Sequence, residues 1–179
     1  IVVLSVMNGF QKEVRTRILS VVSHLQILSD DNRVEDWRAL QKALAQHPRV
    51  VGTAPFVQAQ AMLSNGQAVR GAVVRGILPA EEEQVAEIAR HMRSGTLDAL
   101  RPGEYGVVLG FDLARSLGVL RGDKIALVAP QGVVTPAGVI PRLKQFTVVG
   151  TFEAGIPDAD AGLARVHLKA GQKLSHMGD

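Results

Sequence analysis

The chain has 179 residues and a net charge of +3, and its 46% apolar and 21% charged residues are typical of a globular rather than a disordered protein. It contains no cysteine, which excludes disulfides, thiolate zinc sites and cysteine nucleophiles. Basic residues are scattered and aromatic residues make up only 4%, so no basic stripe with stacking aromatics predicts a nucleic-acid partner. The length suits one domain or two small ones.

The N-terminal part combines an apolar run with an amphipathic helix pattern. Residues 1–7, IVVLSVM, are apolar or small, and apolar side chains then recur at helical spacing from Gly9 to Val21. This pattern fits the end of a transmembrane helix, over residues 1–8, that continues into a two-faced helix. It fits equally a helix end buried in the protein's own core, and periodicity alone leaves both interpretations open.

A short strand and a helix are predicted next. Residues 24–28, HLQIL, have the composition of a strand. Asn32, followed three positions later by Glu35, resembles a capping box. Apolar side chains at helical spacing from Trp37 then predict a helix, which should end before Pro48 because the residue preceding a proline avoids the helical conformation.

A hairpin and a second helix follow. Asn65 and Gly66 form a strong hairpin signal between the segments 50–64 and 67–78. Residues 79–92 begin with a proline and soon reach three glutamates, which is typical of a helix N-terminus because the helix dipole favours acidic residues there.

The C-terminal half consists mostly of strands. Residues 105–119 predict a buried strand and then a helix that stops at Gly118. Residues 121–130 predict a tight turn leading into a strand, and two further strands are predicted within 144–155 and 163–169. The order of elements indicates an α+β fold with mixed or antiparallel sheets.

An uncharged segment, Gln131–Pro141, separates two of these strands. It holds two prolines, two glycines and five aliphatic residues, a density of breakers that predicts a loop at the tip of a long hairpin. Prolines reduce the entropy that a loop loses on docking, and Arg142 and Lys144 add charge at its base. The segment is therefore either a docking finger for another protein or a loop that folds back into its own core.

No motif for catalysis or cofactor binding is present in the sequence. The chain lacks a P-loop, a dinucleotide-binding fingerprint and a nucleophile elbow, and its five histidines are far apart. Residues 158–162, DADAG, resemble the start of a calcium loop, but Leu163 and Lys169 stand where that loop needs glycine and glutamate. We interpret this segment as a solvated turn and expect no catalytic residue, cofactor or metal site.

Three segments resemble one known family. VLSVMNGFQKEVRTRIL, residues 3–19, is similar to the exit from the first membrane helix of the LolC/LolE family, the membrane subunits of the bacterial lipoprotein-releasing ABC transporter. YGVVLGFDLARSLGVLRGDKIALVAP, residues 105–130, and FTVVGTFEAG, residues 146–155, resemble the periplasmic domain of that family, which is related to MacB-type transporters.

The resemblance implies a MacB-like periplasmic core domain with two lobes. A porter-like α/β lobe would cover residues 9–94, and a mainly β lobe bearing a projecting hairpin would cover 95–155, with the hook loop at 131–142. Residues 156–179 would return to the porter-like lobe. The region would lie in the periplasm, within a multi-pass protein of the inner membrane.

TPAGVIPR, residues 135–142, is similar to the hook by which LolC-type subunits catch the periplasmic chaperone LolA. The partner-binding residues implied by this resemblance are Val134, Thr135, Pro136, Ala137, Gly138, Val139, Ile140, Pro141, Arg142 and Lys144. Further implied partners are the cytoplasmic ATPase subunit LolD, a second membrane subunit that is LolE-like or a copy of this one, and the lipoprotein substrate. Because ATP would be hydrolysed by the separate subunit, the chain itself is not expected to be an enzyme.

Two other interpretations stay open. A MacB-like exporter domain could couple to an efflux adaptor or a substrate, with the loop playing no part. A soluble enzyme could assemble a site from scattered side chains such as His24, Asp123 and His167.

Overall fold

The structure, a computed structural model, describes residues 25–29, 34, 36–135 and 138–175, with only the backbone described for 129–135, 138–142 and 175. The membrane-helix end at 1–8, the helix expected from Gly9 to Val21 and the capping box of Asn32 and Glu35 lie outside these residues.

Within these ranges, five short α-helices are interspersed among seven strands. The α-helices are α1 (Trp37–Ala45), α2 (Pro79–Glu82), α3 (Phe111–Leu117), α4 (Pro157–Gly162) and α5 (Leu168–Ser175). The strands are β1 (Phe56–Asn65), β2 (Ala68–Ile77), β3 (Met92–Ser94), β4 (Gly106–Gly110), β5 (Lys124–Thr135), β6 (Gly138–Phe152) and β7 (Leu163–His167). Two short 3-10 helices cover Glu87–His91 and Leu97–Ala99.

The strands form one mixed sheet that closes on itself. The order is β3-β6-β4-β7-β2-β1-β5, and β5 pairs in turn with β6, so six strands close into a barrel and β3 is added at β6. The pairs β4–β6 and β2–β7 are parallel and the others are antiparallel. The predicted α+β class with a mixed sheet is confirmed. Strands from both predicted lobes share this sheet, so pairing alone does not separate them and the two-lobe division remains a prediction.

Successive residues of a strand face opposite sides of the sheet, and the buried ones form two separate clusters. The first cluster takes side chains from all six closed strands, including Leu63, Leu109 and Leu127, and is completed by residues of α3 and α5. The second lies on the opposite face, where Val108 and Phe152 pack beneath the 3-10 segments and α4. Burial on both faces gives β4 its uninterrupted apolar sequence, since all five of its residues are buried.

Several local signals predict the structure correctly. The β1–β2 hairpin turns at Gly66, whose φ of +60° favours glycine, with Asn65 paired to Ala68. Helix α1 ends just before Pro48 as expected, but its N-cap is Asp36, whose carboxylate accepts the Ala39 N–H at 3.0 Å. Gly118, with a φ of +64°, ends α3 as expected.

Two sequence expectations for the N-terminal half are wrong. Residues 25–28 form no strand; Leu25 is 87% exposed, and no other strand pairs with this segment in the part of the chain described. The helix expected over residues 79–92 stops at Glu82, because Ala86 takes an extended conformation before the 3-10 segment. The chain then forms β3 instead of a last helical turn.

The segment 158–162 is not a solvated turn. It belongs to α4, and Asp160 is buried there. Its carboxylate accepts the backbone N–H groups of Ala154, Gly155 and Ile156 at 2.8, 2.9 and 3.2 Å. Asp160 therefore satisfies donors in the bend between β6 and α4, which the calcium-loop comparison does not reveal.

Candidate functional site

The segment expected to be a loop is mostly β-strand. β5 continues to Thr135 and β6 begins at Gly138, and these two residues are paired, so only Pro136 and Ala137 connect the strands. The expectation of an eleven-residue loop at 131–141 is therefore wrong for residues 131–135 and 138–141, which are strand. The hairpin itself is as expected.

A register shift explains how the hairpin tolerates its prolines. Ala129 pairs with Arg142 and the next pair is Val133 with Ile140, so three residues of β5 face Pro141 alone. Such a bulge leaves residues outside the hydrogen-bond ladder, and a proline, which has no N–H to donate, is accommodated there. The strands therefore continue through this segment although it contains prolines and glycines.

In the part of the chain that the structure describes, the two arms of the distal hairpin pair only with each other. β1 pairs with β5 only at 126–128, and β4 pairs with β6 only from Thr147 onward. We call residues 129–142 the ribbon. At ~3.3 Å per residue its β5 arm is roughly 20 Å long. In terms of strand pairing, the ribbon extends beyond the closed sheet.

The base of the hairpin is fixed in the core. Leu127 and Phe146 are buried in the first cluster. The Tyr105 ring meets Phe146 edge-on with centroids 5.5 Å apart, and the Lys144 Nζ lies 4.2 Å from the centre of the Tyr105 ring. The Thr147 N–H also donates to the Tyr105 carbonyl at 3.0 Å. The ribbon is therefore held by a rigid base, which lowers the entropy cost of presenting it to a partner.

The turn that leads into β5 is equally well fixed. The Asp123 carboxylate accepts the Leu120 N–H at 2.8 Å, and its carbonyl accepts the Val148 N–H at 2.8 Å. Gly122 has a φ of +100°, a conformation that favours glycine. The RGD sequence is thus a tight turn, as expected, and Asp123 has a structural role within it.

The structure distributes the expected partner-binding residues along this hairpin. Nine of the ten, Val134 through Arg142, belong to the ribbon, although Pro136 and Ala137 lie outside the described residues. Lys144 lies at the base, over the Tyr105 ring. Leu143, between ribbon and base, is 61% exposed. The assignment of these residues to partner binding remains a prediction.

The sequence analysis missed a buried cluster of charge. Arg165 on β7 forms an ion pair with Glu82 of α2, and both side chains are 1% exposed. Arg75 on β2 is the Cα partner of Arg165 in the parallel pair and is also buried. The sequence pattern relates the three glutamates to the helix dipole only. The available signal is the position of Arg165 between Ala164 and Val166 at the centre of the short strand LARVH.

Of the three residues in the enzyme interpretation, the structure describes Asp123 and His167. His24 lies outside the described residues. The Nδ1 of His167 accepts the Lys169 N–H at 3.3 Å, and burial, together with the charge of Lys169, lowers the pKa of His167. Among the described residues no group of three or more acidic or histidine side chains could hold a metal ion. In the same part of the chain no helix is long and apolar enough to span a bilayer.

Comparison with known proteins places this fold and hairpin in a family. Residues 1–176 match the MacB-like periplasmic core domain. The lipoprotein-releasing system transmembrane protein LolC of Neisseria meningitidis is 46% identical over 99% of the chain, and that of Xylella fastidiosa is 40% identical over the same share. The transmembrane protein LolE of Haemophilus influenzae is 38% identical over 73% of the chain and 32% of its own length.

These matches identify the family of the chain and its group within that family. The chain belongs to the family of MacB-like periplasmic core domains and, within it, to the LolC/LolE group. It spans 43% of the length of the two LolC relatives. The family resemblance seen in the sequence is confirmed.

Proposed function

We propose that this chain is the periplasmic domain of a LolC-type membrane subunit in an inner-membrane ABC transporter that releases lipoproteins. The names of its relatives, which are lipoprotein-releasing transmembrane proteins, support this class. The proposed partners are LolD as the ATPase, a second membrane subunit and the lipoprotein. ATP hydrolysis by LolD leaves binding and transmission of motion to the present chain.

The ribbon is the proposed docking element for LolA. The observation that carries this proposal is the pairing pattern: among the described strands the two arms of the ribbon pair only with each other, while the base of the hairpin is packed in the core. A two-stranded ribbon with a two-residue connection can insert an apolar tip into a groove of its partner. Its fixed base keeps the ordering cost of that insertion small.

The test is capture of purified LolA by the chain, measured as a dissociation constant. Val139→Asp places a charge at the proposed contact and is expected to weaken capture at least ~10-fold, since burying a valine contributes about 1.5–3 kcal/mol. Pro136→Gly loosens the connection and is expected to weaken capture several-fold, because added flexibility costs about 0.4–1 kcal/mol.

Val69→Asp is the matched control. Val69 lies on the β1–β2 hairpin and is 40% exposed, so the same change in charge is made at a site distant in sequence from the ribbon. This variant should capture LolA like the native chain. Undiminished capture by both ribbon variants would remove the ribbon from the docking site, and capture of an efflux adaptor instead of LolA would favour an exporter.

A further inference from the structure

Arg75 is a buried cation with an unusual environment. It is 6% exposed, and its guanidinium carbon lies 4.1 Å from the centre of the Phe56 ring. Its enclosed Nε has no hydrogen-bond partner within the described residues. A buried guanidinium costs folding free energy unless hydrogen bonds and a counterion compensate it, so this environment requires an explanation.

Among the described residues, Arg75 lies in a buried cluster that holds more cationic than anionic side chains. Arg165 and Glu82 are ion-paired and fully buried, so the cluster contains two guanidinium groups and one carboxylate. Burial lowers the pKa of Arg75; the carboxylate of Glu82 opposes that effect, and the guanidinium of Arg165 adds to it. Counted over these three side chains alone, one carboxylate faces two guanidinium groups.

The residues that neighbour Arg75 on one side are exposed or half-buried, although Arg75 itself is buried. Its cross-strand partner on β1 is Gln58, which is exposed. On β2 the residues that follow it along the same face toward the hairpin turn are Val73, which is half-buried, and Gly71, which is exposed. Ile77 on the other side is buried. Arg75 therefore lies at the boundary between the buried part of this sheet face and its exposed part, which we call the bare face.

We propose that Arg75 binds an oxyanion, a carboxylate or a phosphate group, that approaches across the bare face beside Gln58. The guanidinium presents parallel N–H donors that match the two oxygens of such a group, and the Phe56 ring holds its plane. The incoming charge balances the second guanidinium of the cluster. This site is separate from the ribbon and does not depend on LolA docking.

The experiment follows thermal unfolding of the 179-residue chain in sodium phosphate or sodium acetate, with sodium chloride at equal ionic strength as reference. At a concentration about ten times the dissociation constant, the binding anion is expected to raise the unfolding midpoint by about 3 °C or more. Phosphate acting alone would identify a phosphate site, and acetate acting as well would identify a carboxylate site.

Arg75→Met removes the charge and retains an apolar side chain over Phe56. It is expected to abolish the anion-dependent rise and to leave the midpoint in chloride unchanged or higher. Arg70→Met, at an exposed arginine of the same strand, should keep the full rise. An equal rise in the Arg75 variant, or no rise in the native chain with either anion, would overturn the proposal.

A second measurement does not depend on the variant folding. The Nε–H resonance of Arg75 in the native chain should shift on titration with the same anion and saturate at the same concentration as the midpoint. A resonance that stays in place up to the highest concentration of both anions would also overturn it.

Discussion

Glu82→Ala should lower the free energy of unfolding by about 3–5 kcal/mol, the usual cost of removing one partner of a buried ion pair. The change takes a fully buried carboxylate away from Arg165 and from the neighbouring Arg75. Native domains are stable by only about 5–15 kcal/mol, so this variant would approach the limit of folding. Urea denaturation monitored by circular dichroism measures the loss.

Two further variants distinguish the loss of the buried ion pair from a general effect of removing a glutamate from this segment. Glu83→Ala removes the next glutamate, which is exposed, and should change stability by less than about 0.5 kcal/mol. The double variant Glu82→Met with Arg165→Met replaces the pair by apolar side chains and should recover most of the loss. If Glu82→Ala were no more harmful than Glu83→Ala, the buried pair would have little energetic role.

Excision of the ribbon is expected to abolish LolA capture while leaving the fold intact. Ala129 and Arg142 are directly paired, so residues 130–141 can be replaced by Asn-Gly, the favoured two-residue hairpin turn. The remaining hairpin keeps its buried residues in the first cluster and its pairing with β1. Affinity for LolA should fall at least ~100-fold, which corresponds to about 2.8 kcal/mol.

The other hairpin supplies the control for this excision. Replacing Gly66 and Gln67 by Asn-Gly alters a turn of the same length and should leave capture unchanged. The excised variant should also unfold within a few degrees of the native chain. Full capture by a folded, ribbon-free variant would show that LolA binds this domain at a place other than the ribbon.

Elements specified by neighbouring residues could be predicted from the sequence. The β1–β2 turn needs a glycine with positive φ, and Gly118 ends α3 in the same way. In both, the signal lies within the few residues that form the structure. The α+β class follows from such local signals taken together.

Features that depend on distant partners were missed or misassigned. Breakers in 131–141 predict a loop locally, but pairing along the hairpin forms strands and places the prolines at a bulge and at the connection. The Glu82 side chain is buried because Arg165 lies beside it, 83 positions away in sequence. Barrel closure likewise depends on β6 pairing with both β4 and β5, which no local pattern encodes.

Site-specific photo-crosslinking to LolA would show directly whether the ribbon lies at the docking interface. A photoreactive amino acid at Val139 in the ribbon should crosslink to LolA, and the same group at Gln67 in the β1–β2 turn should not. Crosslinking from position 139 that disappears when excess native chain competes is the result expected if LolA docks on the ribbon. Crosslinking from position 67 with none from position 139 would contradict it.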